Sequence, residues 1–500
     1  MKYDKIVVVM LIVLSGCAFV ISSHAKTTSI NSAEINSADN LHVTAKFYES
    51  IFDGDEPNIA KLNLFFTQMP KGGDLHHHYT GTVYAETYLE WIDKKGWYID
   101  KCTFGIVKKK ENNGCDITVQ ELLKNNALYR KLLTLWSNKD YGNHFHEQPP
   151  PDLNFFNTFG YFDDVSNEYM DIGLNLLKQR ALKENVVYIE TMLSRTGVKS
   201  SNYFDSVEIK QLNQLLRKAK SQQQVNKLLE PISAVLSKDK KFEVSINEFI
   251  RMVEKNHRGI DSHNFVMRYQ TYAVRVYDPI QVFTDLLAGY LAVKSSPLIV
   301  GVNIVAPENN SVALADYSLH MKMFNYLSNQ YPNVNHSLHA GELTLGMVRP
   351  KDLTFHIEEA RYIAQAKRIG HGVDLPYEQH SLELLEDLKN NAVIEINLTS
   401  NEFILGVKDS EHPYEIYSSY GVPLVIATDD SGVSRNNLSH EYMLLATRYK
   451  PSYKRIKEYV YNSIEYSFLA SEDKYRLKKQ LDDKFAIFER KMANLDKKFK

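Results

Sequence analysis

The sequence has little excess of charge of either sign. Its 59 Lys and Arg residues nearly cancel its 61 Asp and Glu residues, which leaves a formal net charge of −2. Nucleic-acid-binding proteins carry a basic patch or stripe, so this balance argues against a nucleic-acid partner and favours a small-molecule substrate. With 500 residues, of which 44% are hydrophobic, the chain is long enough for one large or two ordinary globular domains.

Long hydrophobic runs are scarce, and the one near the N-terminus, residues 6–14, is too short to span a bilayer. Two lysines precede it, a pattern typical of an export signal. Two processing sites compete: Leu14-Ser15-Gly16-Cys17 resembles a bacterial lipoprotein box, and Ser23-His24-Ala25 resembles an ordinary cleavage site. We therefore expect residues 1–25 to be a signal peptide. The protein would be exported, either to the bacterial periplasm, to a membrane through a lipid anchor on Cys17, or to the medium.

Cysteine is also rare, with three residues in the whole chain. If Cys17 is cleaved off or carries lipid, Cys102 and Cys115 remain as one pair separated by a short polar loop. An oxidising compartment favours a disulfide between them, and two free thiols are the alternative.

The segments around the first predicted strand are irregular. Residues 26–68 read as an N-terminal extension, polar and flexible to about residue 45 and then helical, because apolar residues recur at helical spacing up to Gln68. After the first strand and helix, an irregular stretch at about 96–151 contains two cysteines and ends in three prolines. A stretch of this length and composition predicts an inserted subdomain rather than a single loop.

Residues 69–500 are expected to form one domain, and beyond Asp152 the chain alternates short β-branched runs with longer helical patterns. Eight such units favour a TIM (β/α)8 barrel of the α/β class. The predicted strands are the one ending in Leu75-His76-His77-His78, then Asn185–Leu193, Phe242–Ile250, Leu298–Val305, Val334–Leu338, Arg368–Val373, Val393–Leu398 and Leu424–Thr428.

Polar residues at the C-terminal ends of barrel strands are the catalytic candidates. Because side chains alternate along a strand, His76 and His78 project to the same side and can share one metal ion. The later strand ends contribute His339 and Glu342 in His-Ala-Gly-Glu, His371 in Gly-His-Gly, and Asp429-Asp430 in Thr-Asp-Asp. Neutral imidazoles with one carboxylate are the ligands that a catalytic zinc needs.

These motifs, in this order and after Met69-Pro70-Lys71, resemble the adenosine deaminase family of metal-dependent hydrolases. The resemblance runs from Met69 to about Phe485. The export signal, the helical extension and the insertion with its two cysteines are similar to the secreted, growth-factor-like branch of that family.

The resemblance implies a role for each motif residue. One Zn²⁺ per chain would be bound by His76, His78, His339 and Asp429. Glu342 would protonate the purine nitrogen N1, His371 would orient the attacking water, and Asp430 would accept a hydrogen bond from the far side of the purine, near N7.

The sugar-binding positions depart from the family pattern. Cytoplasmic members place an Asp that holds the ribose where this chain has Thr80, and a Gly that contacts the purine where it has Ala306. Ser400 and Asn401 follow the seventh strand and are candidates for the pocket wall, with strand-end capping as the alternative. Recognition of the ribose is therefore open.

The leading hypothesis is zinc-dependent deamination of adenosine or deoxyadenosine to inosine or its deoxy form, with release of ammonia. The purine nucleoside would be the small-molecule partner, and the N-terminal helices could form a homodimer contact. One alternative is another mononuclear zinc hydrolase or aminopurine deaminase on the same scaffold. Another is a secreted nucleoside-binding or signalling protein, which would be expected to have lost a ligand or Glu342.

Overall fold

Eight parallel strands form the centre of this computed structural model, which describes residues 37–111 and 114–499. They hydrogen-bond in the order β1, β5, β6, β7, β8, β9, β10 and β11, and three further strands, β2 to β4, form a small separate sheet. The strands are β1 Lys71–His78, β2 Tyr98–Asp100, β3 Ile106–Val107, β4 Asp116–Thr118, β5 Val186–Ser194, β6 Val266–Val274, β7 Ile299–Val305, β8 Asn335–Ala340, β9 Arg368–His371, β10 Val393–Ile396 and β11 Leu424–Ile426.

The first and last strands meet at their C-terminal ends and bring the sheet close to a full barrel. His77 and Asp429 form a parallel bridge there, and the Asp429 N–H donates to the His76 carbonyl at 2.8 Å. The buried Asp74 carboxylate accepts from the Thr428 N–H at 3.2 Å and from its hydroxyl at 2.6 Å. The first and last strands of the barrel are thus joined beside the predicted ligands. This confirms the TIM barrel.

The third predicted strand was wrong. Residues 242–250 lie inside a helix, Lys240–His257, whose buried Phe242, Ile246, Phe249 and Val253 recur every three or four residues. The third strand of the barrel is instead β6. Polar residues such as Gln270, which points into the barrel, interrupt its apolar pattern.

Helices surround the barrel. Those before β5 are α1 Ser37–Ser50, α2 Ile59–Gln68, α3 Tyr79–Thr82, α4 Ala85–Lys95, α5 Val119–Lys124, α6 Asn126–Leu135, α7 Tyr141–His144, α8 Pro151–Ser166 and α9 Met170–Lys183. Those up to β9 are α10 Ser206–Lys218, α11 Gln222–Lys238, α12 Lys240–His257, α13 Pro279–Ser295, α14 Ser311–Gln330 and α15 His356–Tyr362. The rest are α16 Ser381–Asn391, α17 Leu398–Leu405, α18 Tyr414–Tyr420, α19 Ser431–Ser434, α20 Leu438–Tyr449, α21 Tyr453–Glu465 and α22 Ser471–Phe499.

The N-terminal helices pack on the C-terminal ones. Helix α1 lies along α22, where the Thr44 hydroxyl donates to the Glu489 carbonyl at 3.1 Å. The Phe65 ring of α2 meets the Phe488 ring edge-on at 5.1 Å. The apolar face of α1, with Phe47 and its neighbours, is therefore buried within the same chain, and the homodimer contact stays a prediction.

The insertion after α4 contains the antiparallel sheet β3-β2-β4 and then short helices. Cys102, after β2, and Cys115, before β4, form a disulfide, as the cysteine count predicts.

The predicted signal peptide, including Cys17, lies outside the described residues. Within those residues, no helix is both long enough and apolar enough to cross a membrane.

Candidate metal centre and active site

Three strand ends, those of β1, β8 and β11, bring the four predicted ligands to one point. The Nε2 atoms of His78 and His339 are 3.2 Å apart. The Asp429 Oδ1 atom lies 3.4 Å from the His78 Nε2 and 3.6 Å from the His76 Nε2. Parallel register explains the convergence, because His339 on β8 pairs with Gly370 on β9, whose missing side chain leaves room for the His76 ring.

The chemistry of this donor set fits a zinc ion. The His76 Nε2 is buried without a hydrogen-bond partner among the described residues, as expected of an atom that faces a metal. Burial lowers the pKa of His78 to about 4 and that of His339 well below its usual value, so both are neutral at pH 7. Burial opposes ionisation of Asp429, yet the surrounding histidines lower its pKa to about 2 and keep it anionic.

A buried layer of polar side chains orients two of these histidines. The His76 Nδ1 lies 2.7 Å from Glu395, which Arg368 contacts at 2.6 Å. The His339 Nδ1 lies 3.0 Å from the Asn303 Oδ1. Burial opposes ionisation of Glu395, but Arg368 and His76 lower its pKa to about 2. The Glu395 carboxylate therefore accepts a hydrogen bond from the His76 Nδ1, and the lone pair on the His76 Nε2 faces the metal centre. Sequence patterns did not single out these supporting residues.

Glu342 faces the same space. Its N–H and that of Gly341 donate to the buried Glu308 carboxylate at 3.0 and 3.1 Å, which fixes the His-Ala-Gly-Glu turn. Burial, together with the charges of Asp429 and Glu308, raises the pKa of Glu342 well above its usual value. Glu342 is thus held as an acid that can donate a proton, with its Oε1 3.6 Å from the His371 Nε2.

Asp430 is a second buried acid. Burial and the adjacent Asp429 charge raise its pKa well above the usual range, and its Oδ1 has no hydrogen-bond partner among the described residues. Gly81 lies against this oxygen, since a Cβ atom there would come within 1.6 Å of it. In its protonated form this carboxyl can also donate a hydrogen bond. The acceptor role near N7 that the resemblance implies stays a prediction.

These groups open into a cavity of about 460 Å³. Of the residues predicted for the pocket wall, Thr80 and Ala306 line this cavity. Ser400 and Asn401 do not line it, because they are buried behind Asp429 and His371. One wall was missed by sequence patterns, because it belongs to α8 and not to a strand end. Its aromatic residues are Phe155, Phe156 and Phe159.

Three residues that line this cavity have a strained backbone. Ala306, His371 and Asp429 have φ angles of +86°, +70° and +60°, in the left-handed region that non-glycine residues rarely adopt. Such conformations cost roughly 1–2 kcal/mol each and persist where surrounding structure enforces them, commonly at functional sites.

An outer cavity of about 660 Å³ adjoins the first, and Asp163 and Tyr272 line both. Glu248 and the buried Thr196, whose hydroxyl has no hydrogen-bond partner in the described part of the chain, line the outer one. Among the described residues, Arg195 is the only lysine or arginine that lines either cavity. It forms a bidentate ion pair with Asp285 at 2.9–3.1 Å. The wider mouth is therefore acidic.

Comparison with known families identifies the chain. The family model described as adenosine deaminase matches residues 179–484, which include His339, Glu342, His371, Asp429 and Asp430. The protein belongs to the adenosine deaminase family. The histidine pair of β1 precedes the matched segment, and its assignment depends on the geometry above.

Individual relatives align over shorter stretches. Adenosine deaminase of Enterococcus faecalis is 32% identical over 150 residues, 30% of this chain and 41% of that protein. Adenosine deaminase of Aedes albopictus is 32% identical over 148 residues, 28% of this chain and 26% of that protein. The chain thus spans less than half of these curated relatives, although both stretches belong to members of the adenosine deaminase family.

Solved structures share the fold along most of the chain. Arabidopsis ADAL, solved with GMP, gives a TM-score of 0.55 at 16% identity and covers 84% of this chain and 98% of its own. The Arabidopsis N6-mAMP deaminase gives 0.53 at 18% identity, covering 84% and 99%. An amidohydrolase of Burkholderia ambifaria with bound zinc gives 0.51 at 15% identity, covering 86% and 94%.

Proposed function

We propose that this protein hydrolyses the 6-amino group of adenosine or deoxyadenosine, with zinc as its metal. The observation that carries the proposal is the joint placement of three histidines and an ionised Asp429 with a protonated Glu342 on one cavity wall. A protein that only bound or signalled would have no need to keep both a metal-ligand set and a buried proton donor.

The proposed reaction consumes one water. Its oxygen bonds to C6 of the purine, the bond from C6 to the amino nitrogen breaks, and that nitrogen leaves as ammonia. Zinc, held by His76, His78, His339 and Asp429, would supply Lewis-acid activation of water near neutral pH.

The other site residues would hold the purine and move protons. Glu342 donates its proton to N1 as C6 becomes tetrahedral, and Asp430 donates to N7, so the base is held at both nitrogens. His371 orients the attacking water.

The acidic mouth supports a nucleoside over a nucleotide. With its base at Glu342 and Asp430, the substrate directs its sugar outward past Thr80 to Asp163 and Tyr272. A 5′-phosphate would then enter the outer cavity beside Asp163 and Glu248, with Arg195 already paired to Asp285. Like charges in partly desolvated surroundings repel, so a phosphate is disfavoured.

A substrate panel on the zinc-loaded protein tests the proposal. We expect ammonia and inosine-type products from adenosine and deoxyadenosine, slower reaction of adenine, which lacks the binding energy of the sugar, and none from guanosine, which has no 6-amino group. We expect kcat/KM for AMP to be at least about tenfold below that for adenosine, from the repulsion of one phosphate. Absence of ammonia from all four 6-aminopurines would refute the proposed activity.

A matched pair of variants tests the mouth separately. Asp163→Asn should narrow the preference for adenosine over AMP, whereas Asp164→Asn should not, because Asp164 is turned to Lys108 at 2.8 Å. If AMP already reacts as fast as adenosine, deamination stands and the exclusion of nucleotides is wrong.

A further inference from the structure

His371 lies close enough to the proposed ligands to bind the metal itself. Its ring centre is 4.8 Å from that of His76, and one of its nitrogens groups with His76 and Asp429 within 4.8 Å. Distance alone does not decide whether His371 binds zinc or orients water. The decision depends on which ring nitrogen carries the proton, because only an unprotonated nitrogen can be a ligand.

We propose that His412 and Asn401 fix the proton of His371 on Nε2 and thereby make it a hydrogen-bond donor and not a zinc ligand. Neither residue lines the cavity. Both act through His371 and are positioning residues.

The first step starts from a group with no choice of role. The Tyr414 backbone N–H can only donate, and it points to the His412 Nδ1 at 3.1 Å. Burial lowers the pKa of His412 to about 3, so the ring is neutral. Its single proton must then be on Nε2.

The second step orients the asparagine. The His412 Nε2 lies 3.1 Å from the Asn401 Oδ1 and donates to it. The Asn401 amide group is thereby fixed with its NH₂ turned the other way, to the His371 Nδ1 at 2.9 Å. The Asn397 NH₂, 3.4 Å from the same nitrogen, is a second and weaker donor.

The third step follows at His371. Its Nδ1 accepts a hydrogen bond, so its proton is on Nε2, which faces the cavity and Glu342. His76 and His339 have the opposite arrangement, because their Nδ1 atoms face the oxygens of Glu395 and Asn303. The partner at Nδ1 thus distinguishes the proposed ligands His76 and His339 from His371.

The isosteric variant Asn401→Asp should reverse the direction of the hydrogen bond between residue 401 and the His371 Nδ1. A carboxylate accepts a proton from the His371 Nδ1, which leaves a lone pair on Nε2. We expect ¹⁵N NMR of histidine-labelled, zinc-free protein to show the His371 proton on Nε2 in the wild type and on Nδ1 in the variant. The His371→Gln spectrum assigns its resonances among the 17 histidines.

Zinc content should stay near one per chain, while turnover falls at least about 10²-fold, the lower end for losing a positioned proton donor. The catalytic part rests on the proposed function, and the NMR part does not. Asn213→Asp is the matched control, since Asn213 is a buried asparagine that lines neither cavity and whose Oδ1 accepts from the Ile280 N–H at 2.9 Å.

A second pair of variants covers the case in which Asn401→Asp does not fold. His412→Gln keeps an N–H donor for Asn401 and should keep the wild-type tautomer, whereas His412→Phe should give a mixture. A wild-type His371 protonated on Nδ1, or the same tautomer in all these variants, would overturn the proposal. Inverted tautomer with unchanged turnover would also overturn it.

Discussion

Replacing His339 with alanine is expected to remove zinc and deaminase activity together. The His339 Nε2 is 3.2 Å from that of His78, and the Asn303 Oδ1, 3.0 Å from the His339 Nδ1, orients the ring toward the metal centre. Loss of the Lewis acid should lower turnover at least about 10³-fold, since a metal ion contributes several kcal/mol to the transition state. Asp429→Ala should give the same result. Elemental analysis and initial rates measure both effects.

The control is His336→Ala, on the same strand. His336 is buried and its Nε2 contacts the Ala364 carbonyl at 2.6 Å, outside the metal centre. This variant is expected to lower thermal stability while it keeps zinc near one per chain. Full zinc content in His339→Ala would show that the ion binds elsewhere.

Replacing Glu342 with glutamine should separate catalysis from binding. Glutamine keeps the shape and a donor group but has no acidic proton for N1. We expect near-normal zinc content, substrate affinity within roughly tenfold and turnover lower by at least about 10²-fold, as for the loss of a general acid. Metal analysis, product binding and steady-state rates together give these three quantities.

Glu359→Gln is the matched control, because Glu359 is a largely buried carboxyl with raised pKa that hydrogen-bonds Ser318 away from the cavity. The Glu359→Gln variant should keep the turnover of the wild type. A Glu342→Gln enzyme that keeps more than about a tenth of wild-type turnover would show that another group protonates the purine.

The sequence was sufficient to group the candidate metal ligands because they follow one rule. Parallel strands place their C-terminal residues at one end of the barrel, so His76, His339 and Asp429 could be grouped without a structure. The third strand failed for a physical reason: β6 carries Arg268 and Gln270, and its polar groups are satisfied by partners inside the barrel and by Asp261.

Residues that act through others were also beyond a sequence pattern. Glu395, Asn303 and His412 matter because of hydrogen bonds to residues 319, 36 and 11 positions away, which no local pattern shows. The aromatic wall belongs to α8, which follows the insertion. Periodicity predicts the apolar face of such a helix but not which cavity that face lines. Asn401 was singled out by its place after a strand, and its real partner is His371 and not the cavity.

The most direct test of the account is to titrate Zn²⁺ into chelated protein while following the conversion of adenosine to inosine. The account predicts negligible activity without metal and a linear rise that levels off at about one equivalent per chain, as expected for a mononuclear site. Activity that survives complete removal of metal, or that levels off only at two equivalents, would contradict it.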